Sequence, residues 1–345
     1  MITLKDIAAI VGVAPSTVGR ALADHPHVRE STKARVRAVA AELGYVAHAP
    51  ARVMRGGASD LVGLLIPDVR NDFYSTAAQA ISEACARAGF RVVLSITGDD
   101  PERERDHLRG LVGARCAGIV VVPSARPLRE SLALLASVPH VQLIRRARAL
   151  RAPWFGIDDA AATRIAAEHL LALGHRAIGY VGGDLALSTG IERYHGFREA
   201  LAARGIAADA RWCGHDGCDA QAGVDATRRV LAATPRPTAL VLAGSRLTTG
   251  ALDALRELAV AVPREVSVVG FNDSPMLAGW GAGLTSIGLP VGDIAVACAT
   301  GLIGLVRDGP GGVPGTPPAA ARFAPFLIVR GSTAAPERRV RVRAA

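Results

Sequence analysis

The sequence predicts a small all-α head followed by an α/β core of two doubly wound parallel-sheet halves. Three observations predict it. The chain opens on two short helical patterns separated by a glycine turn, and that region closes at the glycine pair Gly56-Gly57. From Leu61 onward, short apolar runs alternate with helical stretches, and the series occurs twice. Residues 1–45 are read as the head, 46–58 as a hinge helix and linker, 59–333 as the core and 334–345 as a basic tail.

In the head, Thr3 fits a helix cap, with Asp6 three positions on to return a bond to the cap amide. Leu4, Ile7, Ala8 and Val11 then recur at helical spacing, and Gly12 stops the helix. Pro15 opens the next helix at the position where a missing N–H matters least. Val18, Ala21 and Leu22 are its apolar side, leaving Ser16, Thr17 and Arg20 to face outward. This is a helix-turn-helix, whose second helix can enter a DNA major groove. A third helix from Ser31 carries Val36, Val39, Ala40 and Leu43 and ends at Gly44. Through Gly57, eight basic side chains stand against four acidic ones, a balance of +4 that suits a phosphate backbone.

After Tyr45, His48 can cap a short helix with Pro50 in its first turn, completed by Ala51 to Arg55 and followed by the flexible pair Gly56-Gly57. Leu61–Ile66, Phe90–Ile96, Ala117–Val122 and His140–Ile144 suit buried parallel strands, with helices at Ser75–Ala88, Pro101–Gly113 and Pro127–Ser137. The second series has strands near Ala177–Val181, Thr238–Leu242 and Ser267–Gly270. Its helices lie near Ala160–Leu173, Thr189–Arg204, Asp219–Ala233 and Arg246–Ala259. Such halves place a ligand cleft at the strand C-terminal ends.

Bulk properties narrow the function. The chain has 345 residues, half of them hydrophobic, and a net charge of +9. An acidic partner is one reading of that charge; an arginine-rich composition with only two lysines is the other. No basic start with a following apolar run marks a signal peptide, and no uncharged stretch reaches membrane-spanning length, so no membrane association is expected. Five cysteines fit reduced thiols in the cytoplasm. Cys213, His215 and Cys218 lie close together, but no fourth ligand accompanies them and no metal or other cofactor is expected.

Beyond this point the chain resembles the LacI family of transcriptional regulators. The resemblance rests on TLKDIAAIVGVAPSTVGRAL (Thr3–Leu22), ELGYVAHAPARVMRGG (Glu42–Gly57), LVGLLIPDVRNDFY (Leu61–Tyr74), GIDDAAATRIAAEHLLALGHRAIGYVGG (Gly156–Gly183) and VSVVGFND (Val266–Asp273), in the family's order up to about Ser332. It implies a core like periplasmic binding proteins, with the chain crossing between halves more than once. The first half would comprise 59–155 and 286–318, and the second 156–285 and 319–333. Helix Val291–Val306 would return to the first half. It also implies a homodimer on a near-palindromic operator, and no C-terminal leucine heptads suggest a tetramer.

By the same resemblance, Pro15, Ser16 and Arg20 face bases, and Thr3, Thr17 and Thr32 anchor phosphates. Arg20 can donate two bonds to guanine, the best geometric match among side chains. Ser16 and Thr17 can instead simply cap or solvate their helix. Ala51, Arg52 and Met54 fall on the hinge helix, where Met54 either wedges between base steps or packs the hinge pair. Ala14 and Gly19 stand where the family usually has serine, which weakens backbone anchoring.

The resemblance groups Asp72, Phe73, Tyr74, Arg145, Asp158, Arg193, Ser245, Asn272, Asp273 and Leu289 around an effector cleft. Arg145, Gly244-Ser245, Asn272 and Leu289 depart from the side chains that sugar-sensing relatives use, whereas Arg193 matches the family's ligand arginine. Arg145 and Arg193 can meet an anionic group, or Arg145 can pair internally with Asp158 or Asp159.

The expected function is a regulator, by default a repressor, whose operator affinity is set by a small polar effector, a sugar or sugar derivative that is neutral or anionic. The rivals are an α/β enzyme and a secreted solute-binding protein. Gly182-Gly183-Asp184 lacks the spacing of a nucleotide-phosphate loop, and no nucleophile elbow is present, so no enzyme activity is expected.

Overall fold

The computed structural model describes residues 2–45, 59–308 and 321–337. Two compact units meet in sequence at Ser59 and Asp60. In the first, α1 (Leu4–Val11), α2 (Pro15–Leu22) and α3 (Glu30–Glu42) close around Ile7, Ala8, Val11, Val18, Ala21, Val28, Val36 and Ala40. Asp6 accepts from the Thr3 amide at 2.7 Å, which starts α1. Gly12 ends it at φ 75°, a left-handed conformation that costs glycine nothing. Lys33, counted above toward the phosphate-facing charge, is only 4% exposed. It sits between Glu30 at 2.7 Å and Asp24 at 3.1 Å, so it holds the head together instead.

The second unit holds two six-stranded sheets. In the first half the elements are β1 (Leu61–Ile66), α4 (Asp72–Arg87), β2 (Arg91–Ile96), α5 (Pro101–Gly113), β3 (Gly118–Val121), α6 (Arg129–Ala136), β4 (His140–Leu143) and β5 (Trp154–Ile157). The second half continues with α7 (Asp159–Ala172), β6 (Ile178–Gly182), α8 (Ser188–Ala202), β7 (Cys213–Gly214), α9 (Ala220–Ala232), β8 (Ala239–Ala243), α10 (Ser245–Glu257), β9 (Ser267–Phe271), α11 (Pro275–Gly279) and β10 (Thr285–Gly288). Last come α12 (Val291–Asp308), β11 (Ala321–Phe323) and β12 (Phe326–Ile328).

The sheet orders are β11-β5-β4-β3-β1-β2 and β12-β10-β9-β8-β6-β7. Every pairing is parallel except β10 with β12. Buried apolar runs such as Leu64–Ile66 and Leu240–Ala243 explain this, because parallel strands are covered on both faces. Helix α12 packs on α4 and the first sheet, bringing Ile294, Ala295, Cys298 and Leu302 into the core of Ala77, Ile81 and Cys85.

The sheet pairings put the passages between halves near 158, 289 and 324, within a few residues of the expected boundaries. Gly156 and Ile157 are paired within the first sheet by Arg322 and Phe323, and Ser286 to Gly288 are paired within the second by β12. Two features differ from the sequence reading. Strand β2 is not buried but forms an edge, with Val93, Leu94 and Ile96 exposed by 38%, 43% and 42%. Ala334, expected in the tail, belongs to the core. Its amide donates to Ser267 Oγ at 3.0 Å, and its carbonyl accepts from His175 Nε2 at 2.9 Å. Ser332 joins the same strap, its hydroxyl donating to Val268 O at 2.6 Å and accepting from Thr285 N at 2.8 Å.

Candidate functional site

A cavity open to solvent forms where the strands of both sheets end. The first half contributes Asn71, Phe73 and Tyr74 at the start of α4, Ile144 and Arg145 after β4, and Leu289 before α12. From the second half, Gly183 follows β6, Thr189, Gly190 and Arg193 lie on α8, and Ala243 to Leu247 run from β8 into α10; Cys218 and Phe271 complete the lining.

Local chemistry sets each group. Asn71 Oδ1 accepts from the Phe73 amide at 3.1 Å, which starts α4 and seats Phe73 and Tyr74 with ring centroids 5.3 Å apart, edge to face. Burial pushes the Tyr74 phenol up to about 12, so it stays neutral. Ile144 has φ 56°, a strained value for a β-branched residue, in a three-residue turn closed by Arg145 N donating to Leu143 O at 2.6 Å. Gly190 lets α8 press against the Asp184 backbone, where a Cβ would collide.

The guanidiniums differ in their partners. Arg145, 6% exposed, pairs with Asp99 through both terminal nitrogens, one of them at 3.2 Å. Asp158 and Asp159, the internal partners considered above, are thus not used by Arg145. Arg193 donates from Nε to Asp159 at 2.6 Å and from Nη1 to Ala243 O at 3.0 Å, with its guanidinium 4.1 Å from the Phe271 ring centre. Burial raises the Asp159 carboxyl to about 6, with Arg193 pulling it the other way. Arg246 Nε is buried without a hydrogen-bond partner, and Asp68 Oδ2 lies 3.8 Å from it.

Six of the ten predicted cleft residues line this cavity: Phe73, Tyr74, Arg145, Arg193, Ser245 and Leu289. Asp72, Asn272 and Asp273 instead line a neighbouring depression with Ser274, Met276 and Asp293, which Leu289 also borders. Asp273 is spent on Arg330, accepting from its two terminal nitrogens at 2.6 and 2.8 Å, and on the Ser286 hydroxyl at 2.8 Å. Asp158 lines neither space; it accepts from Ala161 N at 2.8 Å at the start of α7 and lies 3.6 Å from Arg322. Asp99, Arg246, Thr189, Cys218 and Phe271 were not anticipated. Position was the available signal for Arg246, which directly follows Ser245; nothing local marks Asp99 as the partner of Arg145.

In the head, Thr3, Pro15, Ser16 and Arg20 are exposed and Thr17 and Thr32 half-buried. Val18 and Ala21 are buried on the opposite side of α2. The Thr3 hydroxyl donates to Asp6 Oδ2 at 2.9 Å. Ala14 precedes α2 and gives it no side-chain cap. Ala51, Arg52 and Met54 lie outside the described residues. Cys213 and His215 gather around Tyr194, while Cys218 faces the cavity. Among the described residues no group of three metal-ligating side chains converges, and no helix is long and apolar enough to cross a membrane.

Residues 3–48 match the family model described as bacterial regulatory proteins, lacI family, and residues 167–333 match that of the periplasmic binding protein-like domain. Over 341 residues the chain is 32% identical to the HTH-type transcriptional regulator MalR of Streptomyces coelicolor, covering 96% of each. It is 27% identical over 341 residues to the HTH-type transcriptional regulator GalR of Escherichia coli, covering 97% of each. Among solved structures it resembles the lac repressor dimer bound to operator and the anti-inducer ONPF. There the TM-score is 0.81 at 25% identity, over 97% of this chain and 99% of that one. It also resembles a complex of the transcriptional regulator CelR with cellobiose, with a TM-score of 0.70 at 27% identity over 96% of this chain and 100% of that one.

Proposed function

The chain belongs to the lacI family of bacterial regulatory proteins, DNA-binding regulators rather than enzymes, and from that premise we propose that it is a cytoplasmic, homodimeric repressor of a near-palindromic operator. Helix α2 reads the major groove through Arg20, Ser16 and Pro15, and Thr3, Thr17 and Thr32 contact phosphates. A small polar effector, a sugar or sugar derivative, binds the cavity between the halves. The CelR complex with cellobiose supports that class of ligand.

The observation that carries the reading is that both sheets contribute side chains to one cavity. Phe73, Tyr74 and Arg145 come from one half, and Arg193, Ser245 and Phe271 from the other. A ligand touching both halves favours one spacing of them, and operator affinity shifts by the ligand's preference for that arrangement and no further. In the lac repressor complex a dimer holds the operator. The exposed apolar edge of β2 supports a dimer here, since an edge of that kind is usually covered.

The test is a gel shift on DNA fragments selected from random sequence by the full chain. A near-palindromic consensus is expected, and Arg20→Ala is expected to weaken binding by about 1–3 kcal/mol and relax one guanine position in each half-site. Failure to enrich any sequence would rule out operator recognition and leave a solute-binding role for the core.

A further inference from the structure

The cavity lining is donor-rich and unbalanced in charge. Arg145, Arg193 and Arg246 face it, and no carboxylate side chain is part of the lining among the described residues. Two of these cations are neutralised from behind, Arg145 by Asp99 and Arg193 by Asp159. Arg246 is not. Asp68, its nearest carboxylate, makes no hydrogen bond to it and already accepts from Arg70 Nε at 2.9 Å, Arg70 Nη2 at 3.3 Å and the Arg70 amide at 3.0 Å. Asp68 is therefore divided between Arg70 and Arg246, which leaves Arg246 the most weakly paired of the three cavity cations.

Two helices add to this field. Both α8 and α10 begin at the cavity without a side-chain cap, preceded by Leu187 and Gly244, and Ser245, Arg246 and Leu247 of the first turn of α10 line it. Their free amides and the positive ends of the helix dipoles favour a negative group. A neutral sugar could use these donors too, but its hydroxyls carry no charge to offset the guanidiniums, and Asn71 Oδ1 is already committed to Phe73. Building on the cleft reading, we infer that the effector carries a carboxylate or phosphate group seated against Arg246 and the start of α10.

The guanidinium of Arg246, which lines the cavity, is a planar fork of the kind that binds carboxylates and phosphates in pairs of hydrogen bonds. The sugar part lies toward Phe73 and Tyr74.

The test is calorimetry and thermal shift on the full chain with hexoses, the corresponding hexonates and hexose 6-phosphates, and inorganic phosphate. At least one acid is expected to bind at least about tenfold tighter than its neutral parent, and Arg246→Gln to weaken that acid by about tenfold to a hundredfold. Arg246→Lys should recover part of the loss, because a point charge remains without the fork. Ser245→Trp, which fills the cavity without changing its charge, should abolish binding. A neutral sugar that binds as tightly as its acid, an acid unaffected by Arg246→Gln, or a panel in which no acid binds overturns the inference. A neutral sugar lost in Ser245→Trp would do so while keeping the cleft reading. An acid that still binds Ser245→Trp would defeat the cleft reading as well.

Discussion

Asp273 ties the end of β9 to the segment after β12 by accepting from both terminal nitrogens of Arg330, and those bonds hold its carboxyl below the usual carboxylate range. A carboxyl lowered on folding stabilises the fold above its unfolded pKa of about 3.9, and that stability is lost as pH falls through the lower folded value. Asp273→Asn is expected to remove about 1.5–3 kcal/mol at neutral pH and to flatten the acid limb of a melting-temperature profile. Equal acid limbs in the two proteins would refute the assignment. This residue also marks a limit of the sequence. Its position in the GFND turn pointed to the cleft, yet the side chain that claims it lies 57 residues further on. Arg145 was legible as a cleft residue for the same positional reason, but its partner Asp99 is 46 residues away on a loop with no pattern of its own.

Elements with several turns or a long apolar run could be read directly, because periodicity accumulates with length. The three head helices, the strands β1, β6, β8 and β9, and helices α5 and α9 fall close to their expected spans. Strands of two or three residues, β7, β11 and β12, carry too few side chains to show a period. Only ladder pairing places β11 in the first sheet and β12 in the second. Strand β2 misled for another reason: its valines and leucine suit a buried parallel strand equally well as an apolar edge. At this scale α2 offers a test, since Ala14 leaves it without a cap. Ala14→Ser is expected to stabilise the head by about 0.5–2 kcal/mol, read as slower hydrogen exchange across residues 15–22. Unchanged exchange would mean that the hydroxyl finds no amide there.

For the molecule as a whole, the exposed apolar edge of the first sheet is where the proposed homodimer can be tested. If a second copy covers β2, Leu94→Asp places a charge where apolar surface should be buried, and dissociation is expected at concentrations where the parent chain is dimeric. Light scattering after size exclusion reads this directly. A variant with the parent's mass would move the interface elsewhere on the chain. The strap of Ser332 to Ala334, with β11 and β12 before it, has a consequence for synthesis. The head is complete once residue 45 has emerged, but each sheet lacks a strand made after residue 320. At about 5–20 residues per second, the nascent chain spends on the order of tens of seconds with a finished head and an unfinished core. Premature termination in that interval would release a DNA reader with no receptor to govern it.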